Sequence, residues 1–461
     1  MKPWHDKCAV FGIWQDPEAS RMTYLGLYAQ QHRGQESAGI VSLDKGEHIH
    51  CKGMGLVGDV FKESDLMRLT GSAAIGHNRY STAGGSLLNN IQPLTAQLMN
   101  GPVALAHNGN IVNVNGLREE LKAAGSIFHG TGDTEIVLHM IARHQSSNII
   151  ECLKATLPKV VGAYSCTLLT HDKLVAFRDP MGFRPLILGR RPVGDGTESW
   201  VVASETCAFD LIGARLVREI APGEIFWVDA KGEHSEMIPG PKTRLAKCVF
   251  EHVYFARPDS QVFGLSVYDS RKRMGEILAR EKPVEADVVI PVPDSGVPAA
   301  IGYSRESGLP FELGIIRNHY IGRTFIQPSQ SIRSFGVKIK LNPQTAVLKG
   351  KRVVVIDDSL VRGTTSQKII RLIRAAGAKE VHFRIASPPT TGPCHYGVDT
   401  PKRSQLIAAQ QSIESIREFI DADTLAYLST EGMMQAVRGQ RDEFCAACFD
   451  GNYPTDLFDC E

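Results

Sequence analysis

The chain has 461 residues, 43% hydrophobic and 22% charged, with 51 lysines and arginines against 50 acids. That length predicts two or three domains with sizeable cores, and the balanced charge excludes a global field that would draw in nucleic acid or anionic lipid. No apolar run is long enough to span a bilayer, and Met1 to Lys7 lacks the apolar stretch of a secretory signal, so a cytoplasmic protein is expected.

After Met1–Lys7 the chain continues Cys8-Ala-Val-Phe-Gly-Ile. By type, a cysteine in an apolar strand is usually inert packing. By position it has another use: with Met1–Lys7 removed, Cys8 carries a free α-amine whose reference pKa of about 8 lets it take the thiol proton. Met1–Lys7 is too long for methionine removal alone, so this would need a separate cleavage. Apolar spacing predicts a helix from Arg21 to Gln30, and then come His32-Arg-Gly-Gln-Glu-Ser-Ala-Gly and Gly76-His-Asn-Arg79-Tyr-Ser-Thr-Ala-Gly. A short strand at Val103–Ala106 leads into Ala106-His-Asn108-Gly109-Asn. Thr131-Gly-Asp133-Thr-Glu opens a second helix, Thr134–Arg143, ahead of a strand at Ala163–Thr170. Alone, Asn-Gly is a hairpin turn and Asp133 a helix cap. The spacing of His32, His77 and His107 fits no compact metal set, and they are read as structural. The polar, proline-bearing stretch Gly232–Lys242 reads as a linker.

Cys8 followed by these four motifs in order resembles the class II glutamine amidotransferase domain. The resemblance implies an N-terminal-nucleophile hydrolase, a four-layer αββα sandwich, over residues 8–235 after a 1–7 propeptide. It implies Cys8 as nucleophile and Asn108 with the Gly109 N–H as oxyanion donors. Arg79 would hold the α-carboxylate of glutamine and Asp133 its α-ammonium. Arg178–Pro185 and Ser204–Asp210 match the same family and are assigned to scaffold. Ala9 stands where many relatives have glycine, and Gly132 where serine is usual; neither touches the implied chemistry.

The second half changes character. Asp287–Pro293 and Arg352–Ile356 are near-continuous apolar strands of the kind buried in a parallel sheet, with helices expected at Asp269–Arg280 and Thr365–Ala376. Strand and helix alternating in this way predict a doubly wound α/β domain. In Arg352-Val-Val-Val-Ile-Asp357-Asp358-Ser-Leu-Val-Arg362-Gly363-Thr364-Thr365-Ser366, a strand delivers two acids and then a glycine- and threonine-rich helix start. Such a helix start suits a phosphate, and acids at a strand's carboxyl end suit ribose hydroxyls and Mg²⁺. This segment resembles the signature of type I phosphoribosyltransferases, and Ile290-Pro-Val-Pro-Asp-Ser295-Gly resembles the family's pyrophosphate loop, which implies Ser295 as a Mg²⁺ contact. The basic loop Ile326–Leu341, with Arg333, Lys338 and Lys340, would close over the substrate; as a charge run alone it is a solvated loop.

Together the halves resemble the glutamine phosphoribosylpyrophosphate amidotransferase family. That implies glutamine and phosphoribosyl pyrophosphate as substrates, purine nucleotides as feedback inhibitors and a homotetramer, with the second half spanning 240–461. A non-catalytic sensor of phosphoribosyl pyrophosphate acting on DNA would need a basic face, which the charge balance does not support, and would leave Cys8 idle. The ten cysteines are scattered in the manner of thiols rather than a disulfide framework. Cys445-Ala-Ala-Cys448 alone could bind zinc, serve redox chemistry or do nothing. One branch of the family carries a 4Fe–4S cluster on cysteines in the contexts Lys-Cys248-Val-Phe-Glu, Gly-Pro-Cys394-His-Tyr-Gly and Phe-Cys445-Ala-Ala-Cys448-Phe. The resemblance therefore implies a structural cluster on Cys248, Cys394, Cys445 and Cys448. Cys51, Cys152, Cys166, Cys207 and Cys460 have no such contexts and read as packing or free thiols.

Overall fold

The structure is a computed structural model that describes residues 8–80, 88–99, 101–144, 146–318, 341–439 and 441–458. The Met1–Lys7 leader, Ser81–Gly84 of the second motif, Lys338 with all but the end of its loop, and Cys460 lie outside the described residues.

In chain order the first half places strands β1 (Ala9–Trp14), β2 (Ser37–Asp44), β3 (Glu47–Met54), β4 (Ala73–Arg79), β5 (Leu94–Leu98) and β6 (Gly101–Ile111). It continues with β7 (Gly162–Thr170), β8 (Lys173–Arg178), β9 (Ile187–Gly194), β10 (Thr197–Ala203), β11 (Arg215–Glu219), β12 (Glu224–Asp229) and β13 (Gly232–Met237). They form a seven-stranded sheet, β11-β9-β10-β1-β4-β2-β3, and a six-stranded sheet, β13-β12-β8-β7-β6-β5. Val10, Ile75, Val202 and Trp200 of the first interdigitate with Ala106, Leu169, Leu174 and Phe226 of the second. Each sheet buries its other face under helices: Ala19–Ala29 and Cys207–Ile212 on the first, Thr134–Ala142 and Ile149–Thr156 on the second. Both faces of both sheets are apolar, so the stack closes as the expected αββα sandwich.

One expectation fails. Gly232–Met237, read as linker, is an edge strand pairing antiparallel with β12, from Asp229↔Gly232 to Glu224↔Met237. Its sequence, Gly-Glu-His-Ser-Glu-Met, is polar and mostly exposed, as edge strands often are, so no apolar alternation marks it.

In the second half, strands Val288–Pro291, Arg352–Asp357, Glu380–Ile385 and Thr424–Tyr427 form one parallel sheet in that order. Helices Val267–Glu281 and Val297–Ser307 cover one face, Thr364–Ala375 and Ile413–Ile420 the other. The valine and isoleucine runs are buried on both faces, as a doubly wound sheet requires. Among the described residues no helix is long and apolar enough to cross a membrane.

The halves are bound by a buried ionic network. Glu251, in a π-helical turn Glu251–Phe255 just after Cys248, takes two hydrogen bonds from Arg33, both 2.9 Å, and one from Arg184, also 2.9 Å. Arg33 also pairs with Glu205, and all four side chains are essentially fully buried. The Arg178–Pro185 and Ser204–Asp210 scaffold segments are the docking ledge. Met181 and Phe183 carbonyls accept from Ala246 and Cys248 N–H, and Glu205 accepts from Arg257 N–H.

Candidate active site

Cys8 precedes β1, a central strand between β10 and β4, and is 7% exposed. Its thiol donates weakly to the Tyr80 carbonyl at 3.7 Å, and its own carbonyl accepts from Arg33 Nε at 3.3 Å. Burial pushes the thiol pKa up, so the thiol needs a base. His77 is ill suited to that role: burial drives it down to about 3, and its Nε2 lies 3.0 Å from the His107 carbonyl.

Cys8 lines a cleft with Arg79, at the end of β4, Gly109 in β6, and Asp133. Four predicted residues, about 125 positions apart at most in sequence, meet because β1, β4 and β6 stack across the two sheets. Asn108 lies between His107 and Gly109, which both line the cleft. It is fully buried, and neither its carboxamide oxygen nor its nitrogen finds a hydrogen-bond partner among the described residues. A buried, unpaired amide is costly, and an incoming oxyanion would satisfy its Nδ2 donor. Gly109 must be glycine: at φ +153 a Cβ would stand 2.0 Å from the Ala163 carbonyl oxygen.

Asp133 occupies the residue before helix Thr134–Ala142, yet its side chain does not cap that helix. One oxygen accepts from Ile111 N–H at 3.1 Å and the other lies 3.6 Å from His107 Nδ1. Burial opposes charge on both, but their mutual attraction outweighs it, raising the His107 pKa and lowering that of Asp133. His107, read as structural, thus also sets the charge of the cleft. Asn90 and Gln92 carry no motif signal in the sequence. Asn90 Oδ1 accepts from Thr131 and Gly132 N–H, and Gln92 Oε1 accepts from His107 N–H at 2.7 Å. His32 meets Glu205 at 2.9 Å, a structural role as expected.

In the second half, Asp357 and Asp358 end the strand Arg352–Asp357, 9% and 6% exposed. Neither makes an ion pair among the described residues. Burial, then the neighbouring charge, pushes Asp357 well above the carboxylate range; burial also raises Asp358, against hydrogen bonds from Ser295 and Ser359. Buried Arg271 favours charge on Asp358 without forming an ion pair with it, and paired buried carboxylates are the oxygen donor set that a hard divalent cation satisfies, so these residues fit Mg²⁺. Ser295, distant in sequence, is brought beside Asp358 and hydrogen-bonds to it. Gly363, at φ +72, turns the chain into the helix Thr364–Ala375, whose start leaves Thr365 exposed, Thr364 half-buried and Ser366 buried. Arg362 donates to Gln405 Oε1 at 2.7 Å.

The four cysteines of the expected cluster come from three segments that converge. Cys248 and Cys445 are paired in register on adjacent short parallel strands. Cys394 packs in one apolar cluster with Cys445, and with Cys248 and Cys448 in another. The Cys448 carbonyl accepts from Thr391 and Gly392 N–H, tying its segment to that of Cys394. The soft donors fit an iron–sulfur group, and buried Arg184 lies nearby, kept charged against burial by Cys248, Glu251 and Cys394. Among the described residues, however, no three His, Cys, Asp or Glu side chains already stand as a finished metal cage. The nine described cysteines are all free.

Family models match this chain in both halves: the glutamine amidotransferase domain over residues 77–210 and the phosphoribosyl transferase domain over 267–387. The chain is 55% identical to amidophosphoribosyltransferase 1, chloroplastic, of Arabidopsis thaliana, over 97% of this chain and 79% of that protein. It is 47% identical to the Bacillus subtilis amidophosphoribosyltransferase, over 99% and 96%. One solved structure, described as the allosteric regulatory enzyme of purine biosynthesis, superposes with a TM-score of 0.93 at 46% identity, covering 98% of this chain and 97% of that one. The B. subtilis glutamine phosphoribosylpyrophosphate amidotransferase complexed with ADP and GMP gives 0.92 at 46% identity, covering 98% of each chain.

Proposed function

The chain belongs to the amidophosphoribosyltransferases, glutamine-dependent enzymes of purine biosynthesis, and from that membership we propose which of its residues carry each step. The enzyme releases ammonia from glutamine and joins it to phosphoribosyl pyrophosphate, giving 5-phosphoribosylamine, glutamate and pyrophosphate. Once Met1–Lys7 is cleaved, the Cys8 α-amine takes the thiol proton as sulfur attacks the γ-carboxamide carbon, and returns it to the departing ammonia. Water then hydrolyses the thioester. Asn108 and the Gly109 N–H hold the oxyanion, Arg79 the α-carboxylate of glutamine and Asp133 its α-ammonium. In the second half Arg362, Gly363, Thr364, Thr365 and Ser366 grip the 5′-phosphate, and Lys338 reaches the substrate from its loop. Ser295, Asp357 and Asp358 would hold Mg²⁺, which would neutralise pyrophosphate charge as that group leaves. Cys248, Cys394, Cys445 and Cys448 would hold a 4Fe–4S cluster whose part is structural.

We assign the work to a leader, 1–7, a glutaminase half, 8–235, and a phosphoribosyl half, 240–461. The free thiols suit a reducing cytoplasm. The relative complexed with ADP and GMP supports purine-nucleotide inhibition, and a homotetramer is part of the same reading.

The observation that carries this assignment is the single cleft gathering Cys8, Arg79, Gly109 and Asp133. Its test is separability. Cys8→Ala should abolish glutamine-dependent synthesis and keep the ammonia-dependent reaction, while Asp357→Ala should lose both. Equal loss of both activities in folded Cys8→Ala would refute the division.

A further inference from the structure

The oxyanion-donor segment of β6, Asn108-Gly109, is not held by the glutaminase half alone. Gly109 is closely approached by backbone from both halves: Ala163 from the first and Gly397 from the phosphoribosyl half. Gly397 has φ +96, and a Cβ there would lie 2.7 Å from the Gly109 carbonyl carbon and 2.8 Å from its oxygen. Next to it, Asn110 Nδ2 donates to the His395 carbonyl at 2.9 Å. The His395–Gly397 segment is itself fixed. Arg184 donates to the Tyr396 carbonyl through Nε and Nη2, at 3.1 and 3.0 Å, and the Tyr396 ring stacks on Phe183 with centroids 4.2 Å apart. Arg184 is held by Glu251, which also holds Arg33, whose Nε reaches the Cys8 carbonyl. Nucleophile and oxyanion-donor strand are therefore both braced from the second half.

We infer that His395–Gly397 is a positioning element for glutamine hydrolysis, with Gly397 setting the Gly109 peptide at the oxyanion position by close backbone contact. The inference rests on the reading of Asn108 and Gly109 as oxyanion donors. A donor displaced by a few tenths of an ångström weakens transition-state binding while leaving the contacts to the substrate's α-groups intact. The loss should then fall on kcat and not on KM.

The test uses the processed full-length enzyme and three variants, Gly397→Ala, Asn110→Ala and Asn108→Ala. For Gly397→Ala and Asn110→Ala, kcat for glutamine hydrolysis should fall about tenfold or more, with KM for glutamine and the ammonia-dependent rate within about twofold of the parent. An unchanged kcat in both, while Asn108→Ala loses about 10²–10³-fold, would overturn the inference and leave the oxyanion reading standing. A rise in KM alone would overturn it too. Asn108→Ala at full kcat would sink the oxyanion reading itself. If Gly397→Ala loses both activities through misfolding, Asn110→Ala, at a half-buried site, decides by the same criterion.

Discussion

Arg79 and Asp133 show how a charged residue is diverted from its ordinary use. Asp133 sits at a helix start where a carboxylate would normally cap, but its oxygens face Ile111 N–H and His107. Arg79 is 4% exposed at the end of β4, on the same cleft as Cys8. A guanidinium grips a carboxylate with two parallel donors, and an ammonium cannot copy that fork. Arg79→Lys should therefore raise KM for glutamine about 10- to 100-fold, the loss of a charged hydrogen bond worth roughly 1.5–3 kcal/mol. The ammonia-dependent rate should stay unchanged. Steady-state kinetics with each nitrogen source checks this, and an unaltered KM would remove Arg79 from substrate binding.

Among elements, the π-helical turn Glu251–Phe255 does the joining. Glu251 pairs with two arginines that come from different parts of the first half, Arg33 after the first helix and Arg184 in the docking ledge, and Glu205 balances the second charge. Against the cost of burial, attraction to Glu251 and Glu205 holds the Arg33 guanidinium firmly charged. Removing one partner of a buried pair leaves uncompensated charge, at about 3–5 kcal/mol. Glu251→Gln should cost about that much in denaturant-induced unfolding. Glutaminase activity should fall more than ammonia-dependent activity, because Arg33 reaches the Cys8 carbonyl. A loss below about 1 kcal/mol would show that the halves are held by other contacts.

For the whole molecule, three segments far apart in the second half bring four thiols together beside Arg184. A cluster there would cross-link those segments as a disulfide would in an oxidising compartment. Burial pushes the Cys445 thiol up, so an uncharged, metal-free site is the alternative state. Anaerobically purified enzyme should be brown with about four irons per chain, and Cys445→Ser should lose the iron and unfold at lower temperature. Colourless, iron-free and fully active enzyme would exclude the cluster, and zinc in its place would identify a different structural metal.

Local chemistry made much of this legible. Most of the apolar strands and amphipathic helices end within a few residues of their sequence-based limits, because burial on one or two faces imposes a period that the sequence displays; β6 instead runs on to Ile111, through Asn108-Gly109. Cys8, Asn108, Gly109, Asp357 and Asp358 stand out as candidates because each sits in a short motif that resembles a known family and has a chemical reason. The edge strand Gly232–Met237 was not, since a polar strand borrows its structure from its neighbour β12. Asn90, Gln92 and the Asp133–His107 pairing were hidden too, because they depend on which side chains meet after folding. The same holds for the bracing of Gly109 by Gly397 and for the Arg33–Glu251–Arg184 network, contacts between residues separated by most of the chain. The sequence by itself determined the elements, the two chemistries and their motifs, since those follow from near-neighbour periodicity and residue type. Only the tertiary structure decided that the second half completes the first half's site, because long-range backbone contact and buried charge pairing have no local signature.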